Sequence, residues 1–321
     1  MSILTSFIIP HKGREAMLIE TINSIAKQTA LRDTYEVIVV SQNTSASQLL
    51  SALGDKLNLS IIYNAENKTI SHSRNLGAKH AKGSYLAFLD ADVALSTNWL
   101  ETVKAQLEFD DATALVSAMQ INSNDAPPLE RIRTALSNAD LDTEVSFLPG
   151  RNLFLSKETF YEAGQFPEHL MTCEDYYFTD KVNQIGKLYY TSKAQYVHLG
   201  EDKAFIPMWK KEVWRGQSNL ASLKGRNIPL REFPSFIVPF AVTGGFILLF
   251  LTLFFSQTAL ATLFALGSLI PLLAYTARLK RLTGKQVSVG YCLLFYSLYF
   301  PARAIGTLLG ERGTVNTSSH R

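Results

Sequence analysis

Gly83-Ser-Tyr-Leu-Ala-Phe-Leu-Asp-Ala-Asp92 is the stretch that decides how this sequence folds. Residues 85–89 form a short apolar run of strand length that ends directly in Asp90. Two carboxylates one residue apart, at the end of a buried strand, can both face a divalent cation. Their hard oxygens suit Mg2+ or Mn2+, which bind few protein carboxylates and share the rest of their shell with phosphate oxygens. Taken alone, an Asp-x-Asp pair also describes two solvated loop residues; its place behind Tyr-Leu-Ala-Phe-Leu singles it out.

Reading outward, strands and helices alternate. Residues 5–9 form an apolar run ended by Pro10, His11 and Gly13, and residues 14–28 show helical spacing through Leu18, Ile19, Ile22 and Ile25. A second buried strand follows at residues 36–40, then a polar loop at 41–45 and a third strand at 59–63. Residues 71–82 read as a helix with Ser71 available as its cap. Such alternation implies right-handed crossovers and an α/β domain with a mainly parallel sheet covered on both faces. Ligands of such sheets bind beyond the carboxyl ends of the strands. Asp90 and Asp92, His11-Lys12 and Ser41-Gln42-Asn43 all lie at such ends, so three loops are expected to converge on one crevice.

Composition divides the chain in two. Of 321 residues, 47% are hydrophobic and 18% charged, but residues 236–277 contain no Asp, Glu, Lys or Arg. Residues 236–255 are long enough to cross a hydrocarbon core, and a second uncharged run follows at 259–276. Lys224, Arg226 and Arg231 precede the pair; Arg278, Lys280, Arg281 and Lys285 follow it, and the turn between carries no cation. The positive-inside rule then puts both outer ends, and the N-terminal domain, in the cytosol of an inner-membrane, multi-pass protein. Residues 287–309 read either as a third span or as an interfacial helix, because Pro301 and Arg303 interrupt them. The 311–321 tail is polar and reads as a frayed end. Residues 209–223 mix Trp209 and Trp214 with basic residues, as a helix at the membrane surface or an ordinary surface helix would.

A net charge of +3 without a dense basic block argues against nucleic acid as a partner. Cys173 and Cys292 fall in different regions, so no disulfide is expected and a reducing compartment fits. The first nine residues lack the basic lead of an export signal and read as a strand.

Four elements occur in order: Ser6-Phe-Ile-Ile-Pro10, Ser73-Arg-Asn-Leu-Gly77, the Gly83–Asp92 stretch and Cys173-Glu-Asp175. As an ordered set they resemble the family 2 glycosyltransferases of the GT-A fold, over roughly the first 200 residues. The resemblance implies a Rossmann-like nucleotide-diphospho-sugar transferase domain at residues 1–203. A membrane-proximal segment at 204–232, a transmembrane region at 233–310 and the polar tail would follow. It also implies site roles. Pro10 lines the nucleotide pocket, Arg74 approaches the base or diphosphate, and Asp90 contacts ribose and metal. Asp92 coordinates the metal, and His198, at the end of an alternating strand, completes its shell. Gly150, in Leu148-Pro-Gly-Arg-Asn152, lets the backbone approach donor and acceptor, although a tight turn explains it equally well. Asp175 is the expected catalytic base, with Glu174 orienting it or binding acceptor hydroxyls; an acidic helix start is the plain alternative.

The resemblance therefore implies an inverting transferase that uses Mg2+ or Mn2+. Sugar would pass from a nucleotide-sugar, with a UDP-sugar favoured, to a membrane glycan or lipid-linked acceptor. An alternative acceptor is polyprenyl phosphate, already an anion and needing no base. A non-catalytic GT-A-like membrane scaffold is the third reading, opposed by the intact Asp90, Asp92, Glu174 and Asp175. The sequence departs from the family pattern twice. The aspartate usual after the second strand is absent from Val40-Ser41-Gln42-Asn43, and His11-Lys12 replaces the commoner aromatic-Asn pair.

Overall fold

The computed structural model describes residues 3–54, 57–224 and 230–310. Arg226 and the 311–321 tail lie outside the described residues. The strands are β1 (Thr5–His11), β2 (Tyr35–Ser41), β3 (Leu59–Tyr63), β4 (Tyr85–Leu89), β5 (Val93–Leu95), β6 (Thr113–Ile121), β7 (Thr143–Val145), β8 (Asn152–Ser156) and β9 (Lys187–His198). Among them run α1 (Glu15–Ala26), α2 (Gln48–Gly54), α3 (Ile70–His80), α4 (Trp99–Phe109), α5 (Pro128–Ser137), α6 (Lys157–Glu162) and α7 (Glu174–Val182). The C-terminal helices are α8 (Phe205–Gly216), α9 (Phe233–Phe254), α10 (Thr258–Thr283) and α11 (Val289–Leu309). Among the described residues two compact units result: residues up to 123 with 140–200, and residues 124–139 with those from 201 to 310.

In the first unit the sheet order is β3-β2-β1-β4-β8-β6-β9-β5, with β7 beside β9. Following the pairings outward, β1, β2, β3, β4, β6 and β9 point one way, and β5, β7 and β8 point the other. The sheet is thus mixed with mostly parallel strands. Alternate residues of the same strands feed two cores. Phe7, Ile9, Val37, Val39 and Leu89 pack with Leu18, Ile22 and Ile25 of α1 and with Trp99. Ile8, Ile38, Val40 and Phe88 face Ala78, Phe160, Phe166 and Phe178 on the other side. Burying each such side chain stabilises the fold by roughly 1.5–3 kcal/mol, which is why these strands read as continuous apolar runs.

Two local details position the site. The cap of α3 is Thr69 rather than Ser71: Thr69 is extended (φ −73°, ψ 163°) and its hydroxyl accepts from the His72 amide. Ser71 already lies inside the first helical turn and is buried. The antiparallel pairing of β8 on β4 sets Asn152 opposite Leu89 and carries Gly150 and Arg151 alongside Asp90, whose amide donates to the Arg151 carbonyl at 3.0 Å.

The second unit is helical. Its core joins Leu129 and Ile132 of α5, Met208 of α8, Val242 of α9, Leu272 and Leu279 of α10, and Phe295 and Phe300 of α11. Among the described residues, three helices are long and apolar enough to cross a membrane: α9, α10 and α11. Beside this core lies an ionic cluster. Glu212, 2% exposed, accepts from Arg215 at 2.6 Å and Arg133 at 3.2 Å, and Arg303 stands 3.7 Å away. Burial works against the charged carboxylate, yet the three guanidiniums hold Glu212 down to about 2. A carboxylate depressed from 4.5 in this way contributes stability above pH 4.5 and loses it as pH falls towards 2. Glu212→Gln should therefore lower the melting temperature at neutral pH, at a cost of about 3–5 kcal/mol for stranding buried charges. The acid dependence of the midpoint should flatten as well; an unchanged acid limb would show that Glu212 is not the group responsible.

Candidate functional site

Arg74 is the centre of the site. It projects from α3, is 1% exposed, and its guanidinium reaches three places at once. Nη2 donates to Asp90 Oδ1 at 2.8 Å and to the Gly150 carbonyl at 3.2 Å, while Nη1 donates to Glu174 Oε1 at 3.0 Å. The guanidinium carbon also lies 4.9 Å from the centre of the Phe166 ring. Its neighbour Asn75 fixes the segment carrying that ring, exchanging hydrogen bonds with both the Phe166 amide and carbonyl. One buried cation thus ties the Asp-Ala-Asp element to the Glu-Asp element, far apart in the chain.

Asp90 sits between opposing influences: burial pushes its carboxyl up, Arg74 opposes, and the charge of Asp92 adds to the rise. Asp92 points elsewhere. Its Oδ1 lies 3.4 Å from His198 Nε2, and its Oδ2 lies 3.5 Å from Arg14 Nη2. Sheet register makes the first contact, because β5 runs antiparallel to β9 with Val93 opposite His198. Leu199 completes it by donating its amide to the Asp92 carbonyl at 2.8 Å. A Cβ added at Gly200 would fall 2.1 Å from Asp92 Oδ2, so only glycine leaves that oxygen its place. Arg14 and Gly200 carry no motif signal in the sequence.

These groups fit a divalent cation. Asp92 and His198 offer a hard oxygen and an imidazole nitrogen side by side, and Asp90 lies two residues away on the same loop. Asp90 turns to Arg74, and among the described residues no three His, Cys, Asp or Glu side chains are grouped so that they could hold a metal ion by themselves. An ion that shares its shell with diphosphate oxygens needs only one or two carboxylates.

The second carboxylate pair opens α7. Cys173 adopts a left-handed conformation (φ 63°), which turns the chain so that Glu174 and Asp175 start the helix. Asp175 is held by backbone donors on both oxygens, Gly150 N at 3.1 Å and Tyr176 N at 2.8 Å. Burial pushes the Glu174 carboxyl up to about 7, with Asp175 adding and Arg74 opposing. Gly150 is needed here for space rather than for turning. A Cβ would stand 2.9 Å from Arg74 Nη2 and 3.1 Å from the Asp175 Cβ.

At the ends of β1 and β2 the polar groups engage one another. Pro10, opposite Val40, lies beyond the last paired residue of β1 with β4, so its missing N–H interrupts no bond on that side. His11 Nδ1 and Ser41 Oγ are 3.2 Å apart. Gln42 Nε2 donates to the carbonyls of Ala65, Glu66 and Lys68, and Asn43 exchanges two bonds with the Gly13 backbone. His11 Nε2 is buried with no hydrogen-bond partner among the described residues, and burial lowers its pKa.

Residues 6–164 match the model of glycosyl transferase family 2. The poly(ribitol-phosphate) beta-N-acetylglucosaminyltransferase TarS of Staphylococcus aureus is 27% identical over 215 residues, 60% of this chain and 36% of that protein. Glycosyltransferase AglE of Haloferax volcanii is 24% identical over 190 residues, 56% of this chain and 62% of AglE. The chain thus spans about a third of one relative's length and under two thirds of the other's. Among solved structures, the mannosyltransferase PcManGT from Pyrobaculum calidifontis, in complex with GDP-Man and Mn2+, superposes with a TM-score of 0.64 at 18% identity. That likeness covers 96% of this chain and 88% of PcManGT. S. aureus TarS 1-349 in complex with UDP-GlcNAc gives a TM-score of 0.52 at 17% identity, over 94% and 91% of the two chains. At such identities these likenesses speak for the fold, which is GT-A. With the family model matched from Ser6 through Gly164, across the Asp-Ala-Asp loop and the Gly150 turn, the chain belongs to glycosyl transferase family 2.

Proposed function

We propose that this chain is a membrane-anchored, inverting glycosyltransferase that moves a sugar from a nucleotide-sugar to a hydroxyl of a membrane glycan or lipid-linked acceptor. The observation that carries the reading is the bridge through Arg74, which couples Asp90 to Glu174 beside Asp175. In this reading Asp175 takes the proton from the acceptor hydroxyl as its oxygen attacks the anomeric carbon. The bond from that carbon to the diphosphate breaks, and the nucleoside diphosphate leaves with the electron pair. Glu174, fixed by Arg74, orients the neighbouring carboxylate. When bound at Asp92, with His198 and Asp90, Mg2+ or Mn2+ would neutralise charge on the diphosphate. Pro10 and Gly150 leave the backbone close to the donor.

The relatives support the donor class: TarS has been solved with UDP-GlcNAc and PcManGT with GDP-Man and Mn2+. The family pattern favours a UDP-sugar, while the absence of an acid after β2 leaves base recognition to other groups. Anchoring rests on α9 and α10 and on the cations at their outer ends, which orient the catalytic residues to the cytosol and the protein to the cytoplasmic membrane.

Calorimetric titration of the purified protein against a panel of UDP-, GDP- and dTDP-sugars tests this. One nucleotide class should bind with Mn2+ and lose affinity on chelation, and Asp92→Ala should lose the same increment. Equal binding with and without metal would remove the Asp92 site from the account.

A further inference from the structure

Helices α8 and α11 lie side by side along most of their lengths. At one end the rings of Phe205 and Tyr291 stack with centroids 5.9 Å apart. At the other, Gly216 and Gly306 meet so closely that a Cβ on Gly306 would stand 2.1 Å from the Val213 carbonyl oxygen. Between these ends Glu212 of α8 faces Arg303 of α11 at 3.7 Å, and Arg303 also donates to Asn219, just beyond the end of α8, at 3.0 Å. The Arg that interrupts the third apolar run therefore has partners on α8, at Glu212, and in the turn just after it, at Asn219.

That pairing restricts where α11 can be. Within twelve residues α8 carries Lys210, Lys211, Glu212 and Arg215. Each Lys or Arg at the centre of a bilayer costs about 2.5–3.5 kcal/mol even on insertion scales, so α8 does not cross hydrocarbon. A helix bound along α8 shares its depth. The contacts of α11 with α10 agree: Cys292 reaches Thr283, and Tyr296 and Phe300 both pack on Tyr275, all in the last part of α10. Farther back, Leu263, Leu266 and Ile270 of α10 are exposed. Beyond Tyr275, Arg278, Lys280 and Arg281 mark the cytosolic end of α10, and α11 begins directly after it.

We propose that α11 does not span the membrane. With α8 it forms an in-plane pair bedded in the cytosolic leaflet, and only α9 and α10 cross. The partner is the lipid surface. Tyr291, Leu294 and Leu308 of α11 and Ile206 of α8 are exposed apolar groups for the acyl boundary, and the exposed Lys210 suits anionic headgroups. This rests on the anchoring part of the proposed function, not on its chemistry.

Reporter fusions in a bacterial host test it. Alkaline phosphatase, active only outside the cytosol, and green fluorescent protein, which lights up inside it, are each fused after Gly310 and in the α9–α10 turn at Gln257. The Gly310 fusions should show phosphatase at host background and bright fluorescence, and Gln257 the reverse. Active phosphatase with lost fluorescence at Gly310 would make α11 a third span and overturn the proposal. Inactive phosphatase at Gln257 would mean that the hairpin itself does not cross, which overturns the proposal along with the anchoring. Loss of transfer activity would bear on neither outcome.

Discussion

Asp175→Asn should leave the protein folded and able to bind its donor while turnover falls by about 10²–10⁴-fold, the usual contribution of a positioned general base. The two side chains have the same shape, so α7 and the Cys173 turn are undisturbed. Both carboxylate oxygens accept backbone N–H groups, from Gly150 and Tyr176. An amide can accept only one of them, and its NH2 group faces the other, a cost of about 1.5–3 kcal/mol that leaves the domain folded. What disappears is the carboxylate proposed to take the proton. Product formation alongside calorimetric donor binding separates the two effects. Full activity in the variant would instead favour an acceptor that is already an anion, such as a polyprenyl phosphate, for which no base is required.

Arg74→Ala should be more damaging to the fold than any other single change at the site. Arg74, itself buried, is the nearest countercharge of two half-buried carboxylates, and removing it costs up to about 3 kcal/mol, the low end for breaking a buried pair, because the partners stay partly in reach of water. Asp90 and Glu174, both already pushed up by burial, should then take up protons. The Gly150 carbonyl would also lose its donor. Arg74→Lys is expected to recover little, since a point charge on a flexible stem cannot replace a planar fork that reaches three groups. The readouts are thermal melting and donor affinity. A variant that melts normally but loses donor binding would mean that Arg74 touches the nucleotide directly, as the family pattern implies, instead of joining the two acidic elements.

Much of this was legible because period and position carry physical meaning. The strands at 59–63 and 85–89 have the expected bounds. Residues 85–89 are a short apolar run buried almost throughout, whereas 59–63 lies at the sheet edge, half-buried or exposed, and is marked by its β-branched pair Ile61-Ile62 and flanking polar residues. The convergence of Asp92 with His198 was expected from the family resemblance alone, not from period or position. It depends on the register of β5 against β9, and β5 has only three residues, too few to show a period. Arg14 and Gly200 stayed hidden, since they acquire meaning only when two loops meet around one carboxylate. Ser71 looked like the cap of α3 by residue type; Thr69 holds the place because its backbone is extended. Residues 124–139 could not be assigned to the helical unit from sequence, because Leu129 and Ile132 of α5 find their partners on helices more than seventy residues later.

The central claim is that the Asp90–Asp92 loop and the Asp175 turn form one metal-assisted transfer site. Its most direct test is the release of nucleoside diphosphate from a panel of nucleotide-sugars by the purified protein with Mn2+ or Mg2+, water standing in for the acceptor. Slow release from one nucleotide-sugar is expected, abolished by chelation, by Asp92→Ala and by Asp175→Asn. Release that survives Asp92→Ala unchanged, or no binding and no release across the panel with either metal, would contradict it.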